Sequence, residues 1–221
     1  MNQESTAQFV FPKWTNTVRP AVGALLIAAP IYLILLIWYG ASPQALAVGY
    51  APVQPVQYSH ALHAGTLGLD CRYCHTTVEQ AAFAALPPTQ TCMNCHVTIL
   101  PNSPRLAPVR ESYQTGLPLQ WVKVHDLPQY VYFNHAAHLN AGVSCVSCHG
   151  RVDREEVVAQ TAPLSMGWCL ECHRQPEPYL RPKELVTNLG WVPSEDPLKL
   201  GARLRKENNI NPQTDCSTCH R

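Results

Sequence analysis

The sequence predicts a loop-rich chain with short α-helices and little strand, carried behind one N-terminal transmembrane helix. Three observations predict it. The chain has 20 prolines in 221 residues, clustered in "ILPNSPRLAPVR" (99–110) and "QPEPYLRPKEL" (175–185), which interrupt helices and strands before they grow long. A run without charge, "PAVGALLIAAPIYLILLIWYGA", occupies residues 20–41. All ten cysteines fall in five copies of one pattern, Cys-x-x-Cys-His.

The apolar run comes first in the chain. As a helix rising about 1.5 Å per residue it matches a hydrocarbon core of about 30 Å. Pro20 is expected in the first helical turn and Pro30 at a kink. Tyr32, Trp38 and Tyr39 supply rings suited to one interface. "ALA" at 45–47 resembles a cleavage site, but the apolar core is longer than the roughly 7–15 residues of a secretory signal. The segment is therefore expected to persist. Lys13 and Arg19 flank its N-terminal side, and the next basic residue is Arg72. The positive-inside bias then places residues 1–19 in the cytoplasm, 20–41 in the membrane and 42–221 on the outer, periplasmic side.

The five motifs are Cys71–His75, Cys92–His96, Cys145–His149, Cys169–His173 and Cys216–His220. Structural zinc takes four ligands, commonly from paired knuckles, so five knuckles would strand one. A zinc array also gives no reason for a histidine after every second cysteine. A disulfide framework would not repeat a single spacing five times. Covalent attachment of haem c explains both features: two thioethers anchor each ring and the adjacent histidine reaches the iron. The fold class is a multihaem cytochrome c of short helices and loops around five covalent haems. Cys71, Cys74, Cys92, Cys95, Cys145, Cys148, Cys169, Cys172, Cys216 and Cys219 are the anchors. His75, His96, His149, His173 and His220 are the proximal ligands.

Five histidines remain, one for each iron: His60, His63, His125, His135 and His138. Four form HxxH pairs inside an internal repeat, 58–96 and 133–173. Each copy reads aromatic-x-His-Ala-x-His, a haem motif, a proline-containing spacer and a second haem motif. Multihaem cytochromes of the class III type have similar HxxH pairs. That resemblance implies His60 for the haem on Cys71 and Cys74, and His135 for the haem on Cys145 and Cys148. His63 and His138 would serve other haems, and His125 would complete the set. Met166, three residues before Cys169, offers a thioether that could ligate, but by count it is read as packing against a porphyrin.

With two protein ligands on every iron, the chain is read as an electron carrier rather than a catalyst. Pentahaem nitrite reductases carry an open CxxCK site, which has no counterpart in this sequence; a small quinol dehydrogenase anchor cytochrome is a further alternative. Residues 42–221 hold fourteen Lys and Arg against fourteen Asp and Glu, so haem propionates would make the domain acidic. Arg72, Arg151 and Arg174 could pair with them, or be solvated. No basic patch points to nucleic acid. The C-terminal motif is expected at an edge of the domain, as a port for electrons.

The blocks "YFNHAAHLNAGVSCVSCHGRVDREEVVAQTAPLSMGWCLECHR", "LPPTQTCMNCH" and "DCSTCHR" resemble the pentahaem subunit of alternative complex III over most of residues 58–221. The resemblance implies a membrane complex that oxidises menaquinol. Its other subunits would be an iron–sulfur protein related to molybdopterin oxidoreductases, polytopic quinol-binding proteins and a monohaem cytochrome c. Electrons would leave toward a cupredoxin, a soluble cytochrome c or a terminal oxidase.

Overall fold

The computed structural model describes residues 11–40 and 47–220. Residues 1–10 of the expected cytoplasmic segment, the boundary at 41–46 and Arg221 lie outside them. The chain divides into two units, Met1–Ala45 and Leu46–Arg221.

The first unit contains α1, Thr15–Gly40. Its 26 residues would extend about 39 Å at 1.5 Å per residue, and none of them is buried. The helix is long and apolar enough to cross a membrane. It begins before Pro20, because the hydroxyls of Thr15 and Thr17 donate to the carbonyls of Pro12 and Trp14, at 2.7 and 2.6 Å. Pro20 thus lies inside the helix, as Pro30 does, rather than in its first turn. Each proline withholds the N–H that the carbonyl four residues earlier would accept.

The second unit is helical, and no strand occurs among the described residues. Its helices are α2 (Cys71–Cys74), α3 (Thr89–His96), α4 (Ala107–Thr115), α5 (His135–Asn140), α6 (Val146–His149), α7 (Met166–Arg174), α8 (Pro197–Glu207) and α9 (Cys216–Cys219). A π-turn at Ala61–Thr66 and several 3₁₀ turns join them. Two isolated antiparallel bridges, Val131 with His220 and Val143 with Leu180, tie distant loops.

Helices of four to eleven residues are too short to hold by propensity, and their starts are fixed by side chains. Asp70, Asn134, Ser165, Asp196 and Asp215 accept from backbone N–H groups at the first turns of α2, α5, α7, α8 and α9. Such caps contribute about 1 kcal/mol each. Asp70 and Asp215 directly precede the first cysteines of their motifs, so the cap sets the helix on which both sulfurs ride.

The aliphatic core is small. Ten hydrophobic residues are buried among those described, in two main clusters. Val56, Met93 and Val109 form one, and Val78, Leu139 and Val186 the other. A folded monomer of this mass exposes about 10,000 Å², whereas this chain exposes 15978 Å². Exposed α1 accounts for part of the excess. The rest includes Tyr73, Phe83, Leu86, Tyr130, Met166 and Val192 on the second unit. The polypeptide alone leaves much of its apolar surface uncovered, as expected of a fold built around large apolar groups.

Candidate functional site

All five Cys-x-x-Cys-His motifs lie on or at the end of a short helix: α2, α3, α6, α7 and α9. One helical turn brings both sulfurs to one side and leaves the histidine at the helix end. No disulfide joins any of the ten cysteines.

Seven of the ten histidines share one feature. Nδ1 of His75, His96, His173 and His220 donates to the carbonyls of Ala85, Ile99, Gln213 and Tyr130, at 2.9, 3.0, 2.7 and 3.2 Å. Nδ1 of His63, His135 and His138 donates to Ser59, Ala82 and Asn134, at 2.8, 2.8 and 2.7 Å. A backbone acceptor on Nδ1 fixes the tautomer, raises ring basicity and leaves the Nε2 lone pair free for a metal. The exceptions are His60, His125 and His149.

The histidines also meet in pairs. Ring centroids of His63 and His96 lie 6.2 Å apart, those of His138 and His173 6.0 Å, and those of His135 and His149 6.5 Å. Two imidazoles clasping one metal through bonds of about 2.0 Å have centroids about 6 Å apart, so these pairs have the spacing of axial ligands. His60 lies within electrostatic range of His75. Three distal candidates thus meet three proximal ones at this spacing, each from a different motif, and His60 stands near a fourth, His75. His125 is placed differently. Its ring meets His149 edge to face at 4.3 Å, too close for a metal between them, and it makes no ring contact with His220.

Burial keeps these rings in the form a metal needs. Desolvation, then His75 and His63, lowers His60 to about 4. Desolvation, then His125, His135, His75 and His60, lowers His149 to about 3. Both imidazoles are neutral at neutral pH, as a ligating histidine must be. His60 Nδ1 and His125 Nε2 are buried without a hydrogen-bond partner, a cost tolerated where a ring serves another purpose.

The motifs also follow one another in space. Cys74 lies near Cys92, Cys71 near Cys145, Cys148 near Cys172 and Cys169, and Cys169 near Cys219. The row therefore runs second, first, third, fourth, fifth motif. His75 and His60 near His149 tie the first to the third independently. The fifth motif stands at one end, with Cys216 exposed.

Several contributors escaped the sequence reading. Tyr58 stacks on His63 and meets His60 edge-on, with centroids at 4.4 and 4.8 Å. Phe133 lies tilted against His138 and meets His135 edge-on, at 4.5 and 4.7 Å. Between aromatic and histidine stand Ser59 and Asn134. Each accepts from the N–H three residues on, and its carbonyl takes the Nδ1 proton of the second histidine. The signal was present, because both are capping residue types at equivalent positions of the repeat. Replacing Asn134 by alanine should cost about 1 kcal/mol and loosen His135 and His138 together. Thermal unfolding, with electron paramagnetic resonance of two sites, checks this. Arg72 is held by Asp70 and Glu79 at 2.8 and 3.2 Å, and Arg151 by Asp153 at 2.6 Å, so carboxylates of the chain occupy both guanidinium forks.

Residues 131–221 match the family model described as cytochrome c7 and related cytochrome c. A 103-residue stretch is 37% identical to a protein of Nitratidesulfovibrio vulgaris called menaquinone reductase, multiheme cytochrome c subunit. The match covers 46% of this chain and 48% of the relative, so the chain spans about half the length of the curated relative it matches. Over these segments the chain is similar to multihaem cytochromes c.

Proposed function

We propose that this chain is a membrane-anchored pentahaem electron-transfer subunit of a quinone-linked oxidoreductase, of the alternative complex III type. The observation that carries the reading is the row of five Cys-x-x-Cys-His motifs with paired histidines at axial-ligand spacing. Haem c held at such sites supplies reversible one-electron oxidation and reduction, at potentials set by its ligands and burial. The chain's residues do the rest. The ten cysteines would fix the rings covalently, and His75, His96, His149, His173 and His220 would each hold one through Nε2. His60, His63, His135 and His138 would hold the same groups from other parts of the chain, which would leave a small-molecule substrate no coordination position at those four sites. The backbone acceptors on Nδ1 hold the rings in place while charge changes.

The named relative supports a link to menaquinone. The uncharged stretch of α1 after Arg19 supports anchoring, with Lys13 and Arg19 on the inner side and the haem domain outside. Iron–sulfur, polytopic quinol-binding and monohaem cytochrome subunits are the proposed partners, and a cupredoxin, soluble cytochrome c or terminal oxidase the acceptor.

Two measurements test the reading. The alkaline pyridine spectrum of the purified chain should give five haems per polypeptide. The complex extracted from native membranes in mild detergent should show haem reduction by a menaquinol analogue. Fewer than five haems would overturn the pentahaem assignment. Five haems that no quinol reduces, in a chain that purifies alone, would overturn the complex.

A further inference from the structure

By count, His125 is the histidine left to close the fifth iron, and the geometry points elsewhere. The ring of His125 lies 4.3 Å from that of His149, and its Nε2 is buried there without a partner. His149 already has His135 across from it, at 6.5 Å and nearly parallel, with 15° between the ring planes. The third site therefore holds three imidazoles. Two stand at the spacing of a shared metal, and the third lies edge to face against His149 at 4.3 Å.

The fifth site has the opposite character. His220 donates to the carbonyl of Tyr130 at 3.2 Å, and the Tyr130 ring lies tilted beside it, centroids 5.8 Å apart. The remaining four histidines outside the motifs are taken: His63, His138 and His135 by ring spacing, and His60 by its place beside His75. No ring contact joins any histidine to His220 among the described residues.

We propose that the site of Cys216, Cys219 and His220 is a one-histidine site, its sixth iron position left to a ligand other than an imidazole of this chain, and that His125 is a positioning residue for His149. The proposal rests on the motifs being haem sites. A one-histidine site at the end of the row, with Cys216 exposed, is where the chain differs from a sealed wire. The thioether within the chain that could fill the position is Met166. It is 66% exposed and starts α7, one turn before Cys169, and Cys169 lies near Cys219 of the fifth motif. Met93, by contrast, is packed between Val56 and Val109.

The test uses the full chain, after the haem count has shown five haems; any other count sinks the reading beneath the proposal rather than the proposal. Near-infrared magnetic circular dichroism of the oxidised protein distinguishes imidazole pairs from imidazole with sulfur. Carbon monoxide on the reduced protein reports an open face. The expected result is four bis-imidazole haems and one that differs. That haem either binds carbon monoxide, which makes the position open, or shows a sulfur-to-iron charge-transfer band that Met166→Leu abolishes. His125→Ala should leave the four-to-one ratio unchanged and shift the potential of one haem, the third. Five bis-imidazole haems in the wild type would overturn the proposal. So would an additional fifth of the haem becoming reactive to carbon monoxide in His125→Ala. His125→Phe repeats the readout if the smaller side chain prevents folding, and the wild-type spectrum decides without either variant.

Discussion

Replacement of His149 by alanine is expected to divide the row in two. His149 belongs to the third motif, which stands at the middle of the spatial order, with the first and second motifs on one side and the fourth and fifth on the other. Its ring touches or electrostatically couples to His125, His135, His75 and His60. Loss of an outer-shell partner alone costs a metal site about 10–100-fold, and His149 would be a direct ligand. Electron delivery from one end to the other should fall by more than that. Rapid reduction by an external donor should stop at the sites on the donor's side, about two-fifths of the total absorbance change whichever end the donor meets. Stopped-flow spectroscopy reads this directly. His96→Ala, at the far end of the row from the fifth motif, should instead spare about four-fifths. Full amplitude at an unchanged rate in His149→Ala would show that electrons bypass the third site.

Gly201→Ala should produce the largest loss of stability. A Cβ at Gly201 would lie 1.9 Å from the carbonyl oxygen of Glu177 and 2.6 and 2.7 Å from its carbonyl carbon and Cα. Backbone on both sides leaves nothing flexible to give way. The close approach seats α8 on the 3₁₀ turn Glu177–Tyr179, where Leu200 is buried and Arg205 pairs with Glu177 at 2.5 Å. Overpacking of this kind costs about 1–3 kcal/mol, and each kcal/mol lowers the melting temperature of a domain this size by about 2–4 °C. The damage should reach the sites as well. Arg205 and Ile210 hydrogen-bond to one another beyond the helix, and the loop continues to Gln213, the acceptor for His173. Circular dichroism melting, with the spectrum of the fourth site monitored, checks both effects. An unchanged melting temperature would show that the Glu177 turn yields.

The motifs were legible because their chemistry is local. Cys145 and Cys148 stand one helical turn apart whatever surrounds them, and His149 follows at once, so spacing in the chain is spacing in space. The capping aspartates, Asp70 and Asp215, are legible for the same reason. The HxxH pairs were legible through repetition: His60 and His63 recur as His135 and His138 in the same setting. The setting itself was read only as an aromatic and an arbitrary residue. The structure shows that Tyr58 and Phe133 brace both histidines, and that Ser59 and Asn134 cap the turn and hold one ring. The Nδ1 acceptors were not legible at all. Every residue has a carbonyl, so nothing in the identity of Ala82, Ala85 or Gln213 marks it as a partner of His135, His75 or His173.

The sequence by itself determined the chemistry. Five cysteine pairs, each followed by a histidine, specify five repeats of one thiol-and-imidazole site suited to covalent haem, and one uncharged run specifies a helix of membrane length, because both depend only on residues adjacent in the chain. Tertiary structure decided which histidine faces which, and in what order the sites stand. His63 meets His96, and His138 meets His173, only because loops that carry no chemistry of their own fold back on one another. His125 shows the difference most clearly. Counting makes it the last of five histidines for five motifs without saying which motif it serves; the fold packs its ring against His149, 4.3 Å away, because contacts between residues distant in the chain are set by how the loops fold and not by their number.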